Sequence, residues 1–344
     1  MAIEVKTSQP ETTLQQTLWR MISGCFVSQA ISVAATLGIA DLLNAGPQSP
    51  TELAQQTGTH APSLYRLLRA LAGVGIFIED EEGRFALTPL AALLRQNVPS
   101  SLHAPAAMIR SKLQWPTLGD LLYSVQTGEC AFEHIFGIGL WEYTQQDEQE
   151  NTIFHAAMSS FSTTEVDAIR NAYNFSSFST LVDIAGGHGK LLAAILQAYP
   201  TLQGILFDLP HVAQQAEELL GEAGVAQRSQ ALGGDMFVSI PAGCDAYIMK
   251  TVIHDWDDEQ AITLLKNCHQ AMPSHARLLL VTRVIEPANI PDAGKFMDLN
   301  MLITLGGRER TATEFTALLD AAGLVLARII PTQSALNILE CFKR

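Results

Sequence analysis

Between Lys250 and Asp258 the chain reads KTVIHDWDD, which sets one imidazole among three carboxylates and a tryptophan at the end of the apolar run DAYIMKTV. An imidazole, with an ordinary pKa of ~6.5, is well suited to take up a proton near neutral pH, so His254 is a candidate general base. A histidine of this kind also serves as a buried ring satisfied by a backbone carbonyl, and its surroundings must decide between the two. The acids have a structural explanation of their own. Asp257, with Gln260 three positions on, fits a helix N-cap, and Asp258 and Glu259 complement the dipole of the helix that follows. No metal is therefore expected.

A second constellation, VDIAGGHGK, places Asp183 at a strand end and Gly186, Gly187 and Gly189 before a helix. Small residues there let a ligand lie against the backbone at a helix N-terminus. A dinucleotide fingerprint needs a third glycine where Leu192 stands, and no Lys-Ser or Lys-Thr follows in the manner of a phosphate loop. Asp208 ends the next strand in LFDLP, where a carboxylate can accept two hydrogen bonds from ribose hydroxyls; a turn or helix-capping aspartate before Pro210 is the plainer alternative. GGDMF adds Asp235, able to accept from an adenine amino group, and Met236, able to pack on its ring. Acids at successive strand ends, with a glycine loop and no phosphate-binding cation, describe a nucleoside ligand without phosphates. S-adenosylmethionine, cationic at sulfur, is such a ligand.

These groups need a scaffold, and the pattern of the chain changes near residue 175 to supply one. TLVDIA, QGILFDL, DAYIMKTV and ARLLLVTRVI are apolar strands separated by the helical stretches KLLAAILQAY, VAQQAEELLGEAG and DEQAITLLKNCHQAM. This alternation implies an α/β fold with a mostly parallel sheet covered on both faces and ligands at the carboxyl ends of its strands. TATEFTALLDAAG, LVLARIIP and LNILECF then add a helix and two strands close together, so an antiparallel strand should finish the sheet.

Before residue 175 the chain is helical. LQQTLWRMISGCFVSQAISVAATLGIADLL has apolar residues at helical spacing, QSPTELAQQ opens with a capping box at Ser49 and Glu52, and PSLYRLLRALAGVGIF ends at Gly73 and Gly75. The hairpin IFIEDEEGRFAL turns at Glu81 to Gly83. Helix, helix, hairpin is a winged-helix arrangement, and a DNA-binding regulator with a ligand-sensing domain is one alternative. Against it, residues 1–110 hold seven Lys or Arg and eight Asp or Glu, a net of −1, and the wing is acidic. The apolar content of residues 21–43 favours packing against a second copy.

The 344-residue chain carries a formal net charge of −14, which disfavours an extended nucleic-acid surface and suits a neutral or cationic small ligand. Five scattered cysteines without a CxxC pair suggest free thiols in a reducing compartment. The N-terminal MAIEVKTSQPETT lacks the basic and apolar regions of a secretory signal, and CFVSQAISVAATLGIADLL is too polar for a good membrane span. A cytoplasmic protein with no membrane partner is expected.

With these residues in view, the sequence resembles the plant-type small-molecule O-methyltransferases, the family of caffeic acid, flavonoid and hydroxyindole O-methyltransferases and their bacterial relatives. LVDIAGGHGK, FDLPHV, GGDMF, MKTVIHDWDDEQ and GGRERTATEF carry the resemblance, in order and over nearly the whole chain. It implies a Rossmann-like class I methyltransferase domain at 176–344 with a seven-stranded sheet, a helical linker and substrate-pocket region at 111–175, and a winged-helix dimerisation domain at 1–110. It also implies S-adenosyl-L-methionine as cofactor, a small-molecule acceptor and a homodimer. Gly186, Gly187 and Gly189 would line the methionine part beside Asp183. Asp208 and Leu209 would hold the ribose, and Asp235 and Met236 would flank the adenine, with Lys250 close by. His254 falls on the family's base, and Glu309 and Glu286 on its flanking glutamates. Phe154 and Met158, in FHAAMSSFS, would reach the pocket, with Asp255 beside the acceptor.

Two departures stand out: Ala185 replaces a usual glycine, and the stretch between Glu286 and Glu309 is shorter than in many plant members. Trp115, Trp141, Phe154, Met158, Phe296, Met297 and Met301 are candidates for a flat apolar acceptor site. Methyl transfer from a sulfonium to a phenol of pKa ~10 would use His254 to remove the proton, a contribution of typically ~10² to 10⁴ in rate. Family members that turned the same cofactor to N- or C-methylation or other chemistry remain the alternative.

Overall fold

The computed structural model describes residues 13–344, and the signal-sequence reading of the segment before them lies outside the described residues. Two compact units divide between Ser111 and Lys112, which places the helical segment after 111 in the second unit.

In the first unit the N-terminal apolar stretch is not one helix. Leu14–Ile22 and Gly24–Thr36 meet at a 41° bend, and left-handed Gly38 starts a further turn at Ile39–Leu42. Ser49 closes a capping box with Glu52 on the helix Pro50–Thr57, with Pro50 in its first turn, as the sequence suggests. Helix Ala61–Ala72 buries Leu64, Leu68 and Leu71 at i, i+4 and i+7. These pack with Phe77 and Phe85 of the hairpin β1 (Phe77–Glu79) and β2 (Phe85–Leu87). Each such buried side chain is worth ~1.5–3 kcal/mol over its exposed state. The first helix buries none of its residues: Leu14, Leu18, Met21 and Ile22 are exposed, and Trp19 and, in the next helix, Phe26 are 66% and 77% exposed. Among the described residues, no single helix is long and apolar enough to cross a membrane.

In the second unit the described residues form a seven-stranded sheet from β3 (Thr180–Ile184), β4 (Gln203–Asp208), β5 (Ser229–Gly233), β6 (Ala246–Lys250), β7 (Arg277–Thr282), β8 (Leu324–Pro331) and β9 (Asn337–Lys343). The order is β5-β4-β3-β6-β7-β9-β8; β9 runs antiparallel to both its neighbours and the remaining pairs are parallel. The near-continuous apolar runs follow from burial on both faces. Val182, Ile184, Tyr247 and Met249 join one core, while Leu181, Ala246 and Ile248, their neighbours in sequence, join the other. From β3 the chain adds β4 and β5 on one side and β6 and β7 on the other, so a crevice opens at the carboxyl ends of β3, β4 and β6. Ahead of the sheet lies the 25-residue helix Glu148–Ala172, capped by Asp147.

Candidate active site

His254 owes its position to two interruptions in a short span. β6 stops at Lys250, Thr251 takes a left-handed φ of +52°, and Ile253–Asp255 make one tight 3-10 turn. Asp257 then caps the helix Asp258–Ala271, accepting from the Gln260 N–H at 2.8 Å. Non-glycine residues in this region are strained by ~1–3 kcal/mol each, and Ala185, at the end of β3, has φ +52° as well. Two such residues at neighbouring strand ends mark the crevice as a place where chain geometry is dictated by more than local preference.

The imidazole is held from both edges. Nδ1 lies 2.9 Å from Glu309 Oε1 and Nε2 lies 3.3 Å from Asp255 Oδ1. His254 is largely buried and the Glu309 side chain is only 1% exposed. Burial pushes the imidazole pKa down, but the Glu309 hydrogen bond and the charges of Asp255 and Glu309 outweigh it and leave the value raised, with Lys250 opposing. Burial lifts Asp255 to about 6. With Glu309 accepting from Nδ1–H, Nε2, beside Asp255, is the nitrogen that exchanges a proton, and the imidazolium that results lies between two carboxylates.

Glu309 reaches the ring because the strip after Gly306 packs directly on the histidine turn. The Arg308 N–H donates to the His254 carbonyl at 2.8 Å, and the Glu309 N–H to Asp298 Oδ1 at 2.8 Å. A Cβ at Gly307 would fall 2.1 Å from the His254 carbonyl oxygen, so only glycine permits this approach. Glu286 does not join the group: it is exposed, its N–H bonds Asp292, and no hydrogen bond or ion pair links it to His254 among the described residues. The strand-end residue that approaches is Arg283, whose Nε is 3.8 Å from Glu309 Oε1.

Residues suited to a nucleoside cofactor lie at the adjoining strand ends. Asp183 is 1% exposed, one of its carboxylate oxygens has no hydrogen-bond partner, and burial raises its pKa to about 7. An anion so placed is costly unless a cation or donor meets it, which suits the ammonium or sulfonium end of such a ligand. Gly187 and Gly189 take φ +57° and +80°, turning the loop tightly into the helix Lys190–Ala198. Asp208 accepts from Gly187 N–H at 2.8 Å and Leu209 N–H at 2.7 Å, so the loop and the β4 end are tied together and each oxygen keeps a further lone pair for a hydroxyl. Leu209 and Asp235 are exposed and Met236 is half-buried. Phe237, beside Met236, packs edge-on against Trp256, with centroids 4.7 Å apart.

Lys250 is committed elsewhere. Its Nζ donates to Glu165 Oε2 at 2.9 Å and lies 3.4 Å from Ser162 Oγ, both on the long helix Glu148–Ala172. That helix also carries Phe154 and Met158. Phe154 meets Trp141 edge-on at 5.6 Å. Met301 is buried and Met297 half-buried on the helix Gly294–Leu305, where Asn300 accepts from Gln114 Nε2 at 2.6 Å. Phe296, on the same helix, is 77% exposed, while Trp115 and Met158 are half-buried. Arg283, Glu165, Gln114 and Asn300 escaped the sequence reading because each finds its partner far along the chain, with no local pattern to flag it.

Comparison with known proteins bears on this arrangement. Residues 115–325 match the O-methyltransferase domain and residues 19–97 the O-methyltransferase dimerisation domain. The chain is 46% identical over 327 residues to phenazine O-methyltransferase PhzM of Lysobacter antibioticus, covering 95% of this chain and 96% of that protein. It superposes on mitomycin 7-O-methyltransferase MmcR with TM-score 0.89 at 39% identity, covering 96% and 98% of the two chains. NcsB1, an O-methyltransferase from neocarzinostatin biosynthesis in complex with S-adenosylmethionine and 2-hydroxy-5-methyl naphthoic acid, gives TM-score 0.83 at 32% identity, covering 95% and 98%.

Proposed function

The chain belongs to the O-methyltransferase family and is an S-adenosylmethionine-dependent O-methyltransferase, and we propose that its acceptor is a phenolic hydroxyl of a small polycyclic aromatic metabolite, deprotonated by His254. The observation that carries this reading is the imidazole fixed between Glu309 and Asp255. The phenazine and naphthoic acid named for its relatives support the acceptor class. The exposed apolar face of the first two helices supports a homodimer. The free cysteines, four of them buried, fit a reducing cytoplasm.

When bound, S-adenosylmethionine supplies an electrophilic methyl group on a cationic sulfur. Asp183 and the loop Gly186, Gly187 and Gly189 would hold its methionine end, Asp208 and Leu209 its ribose, and Asp235 and Met236 its adenine. His254 Nε2 takes the proton of the acceptor hydroxyl as that oxygen becomes nucleophilic, while Glu309 keeps Nδ1 protonated and the ring oriented. Glu309 and Asp255 stabilise the imidazolium so formed. Trp141, Phe154, Met158, Met297 and Met301 would supply the apolar walls that hold the acceptor flat and exclude water.

The test separates chemistry from binding. His254→Ala should lose ~10² to 10⁴ in turnover across a panel of hydroxyphenazines and hydroxynaphthoates and bind S-adenosylhomocysteine as the parent does. Undiminished turnover on a weakly acidic phenol would refute the assignment.

A further inference from the structure

Resting on the reading of His254 as the base, we propose that Arg310 is a positioning residue that locks the histidine turn to the strip carrying Glu309. Arg310 is 1% exposed and is the largest fully buried side chain among the described residues. It touches neither ring nitrogen. Its Nη1 instead donates to the Ile253 carbonyl at 3.2 Å and its Nη2 to the Trp256 carbonyl at 3.0 Å, one on either side of His254. Nη1 also bonds the Arg308 carbonyl at 3.2 Å. Nε and Nη2 lie 2.9 and 2.8 Å from Asp258 Oδ1, at the start of the helix after the turn.

One planar group thus spans the turn before the base, the turn after it, the helix that follows and the strip that delivers Glu309. The strip is itself anchored to the chain beyond β7, through a parallel bridge of Arg310 with Val284 and an Ile285 N–H to Arg310 carbonyl bond of 3.1 Å. Guanidinium chemistry suits the task, because a rigid fork of five donors can meet several acceptors in one plane, whereas an ammonium on a flexible stem cannot hold the same set. Asp258 belongs to the same device, since it also accepts from Arg308 at 3.2 Å while its own side chain is 55% exposed. A buried cation bonded to backbone carbonyls that flank a catalytic side chain fixes where that side chain stands, and the Nδ1 to Glu309 distance follows from it.

The experiment compares Arg310→Lys and Asp258→Asn with the parent chain of 344 residues. The His254 ring is followed by NMR with ring-labelled histidine and assigned with His254→Gln, S-adenosylhomocysteine binding is followed by calorimetry, and turnover is followed against pH on a hydroxynaphthoate. Both variants should move the His254 midpoint down toward the free-imidazole value of ~6.5, Arg310→Lys more than Asp258→Asn. Arg310→Lys should cut kcat by roughly 10- to 100-fold, the scale of a small misplacement of the reacting group, with S-adenosylhomocysteine affinity unchanged. If Arg310→Lys fails to fold, the Asp258→Asn midpoint decides: a downward move supports the clamp and a fixed value overturns it. An unmoved midpoint in folded Arg310→Lys, even with turnover and cofactor binding lost together, overturns it as well. Retained turnover in His254→Gln overturns the base assignment and not the clamp, which the titration judges separately.

Discussion

At the residue scale the two most informative groups titrate in the raised direction for different reasons. His254 is raised because Glu309 and Asp255 outweigh the effect of burial, so the acid limb of turnover should lie above the ordinary ~6.5 of an imidazole. Glu309→Gln should cut turnover and move that limb downward, which a pH-rate profile measures. The corresponding stability term is fully present below the unfolded pKa of ~6.5 and is lost as pH rises through the higher folded value. Asp183 is raised to about 7 by burial. Its cost to the ligand-free protein is absent well below the unfolded value of ~3.9 and grows as pH rises from there to the folded value. Asp183→Asn should therefore raise the Tm at pH 8 by about 5 °C, with the gain shrinking toward pH 5, and should lose cofactor binding; thermal melts at the two pH values and calorimetry check this. His254 stands out in its own stretch KTVIHDWDD and Glu309 only through the resemblance of GGRERTATEF, and the fold brings the two side chains together. Glu286 was placed by resemblance alone, and the path of the chain after β7 turns it toward Asp292 and brings Arg283 to Glu309 instead.

At the element scale, the strip 306–311 is as much a part of the site as the strand ends. Gly307 has to lie against the histidine turn, and a Cβ there would meet backbone rather than a yielding side chain. Gly307→Ala should cut kcat by ~10²-fold or more through displacement of Glu309 while leaving cofactor affinity nearly intact, a split that steady-state kinetics and calorimetry resolve. The alternation of strands and helices after residue 175 was readable because β3, β6 and β7 are deeply buried and therefore apolar, and β4 buries Gly204, Leu206 and Phe207. β5 was harder to see: its residues are only half-buried or exposed, and SQALG carries no strong period. The break falls on Ser23 and Gly24, a pair of the kind that kinks helices, but the apolar residues on either side keep helical spacing across it and mask the bend.

At the scale of the whole molecule, a chain with net charge −14 exposes an apolar stripe on its first two helices, at Leu14, Leu18, Trp19, Met21, Ile22 and Phe26. Apolar surface of this kind is costly in water and calls for a partner, and the dimerisation domain match spans residues 19–97. Trp19→Glu with Phe26→Glu should convert a dimer into a monomer in light scattering after size-exclusion chromatography. The central claim concerns the whole catalytic cycle: His254 matters because the acceptor must lose a proton. The most direct test is the ratio of parent to His254→Ala turnover on one accepted phenol as pH is raised through that phenol's own pKa. The account predicts a ratio of ~10² to 10⁴ well below it, falling toward unity as the phenol ionises unaided. A ratio that stays constant across the range would contradict it.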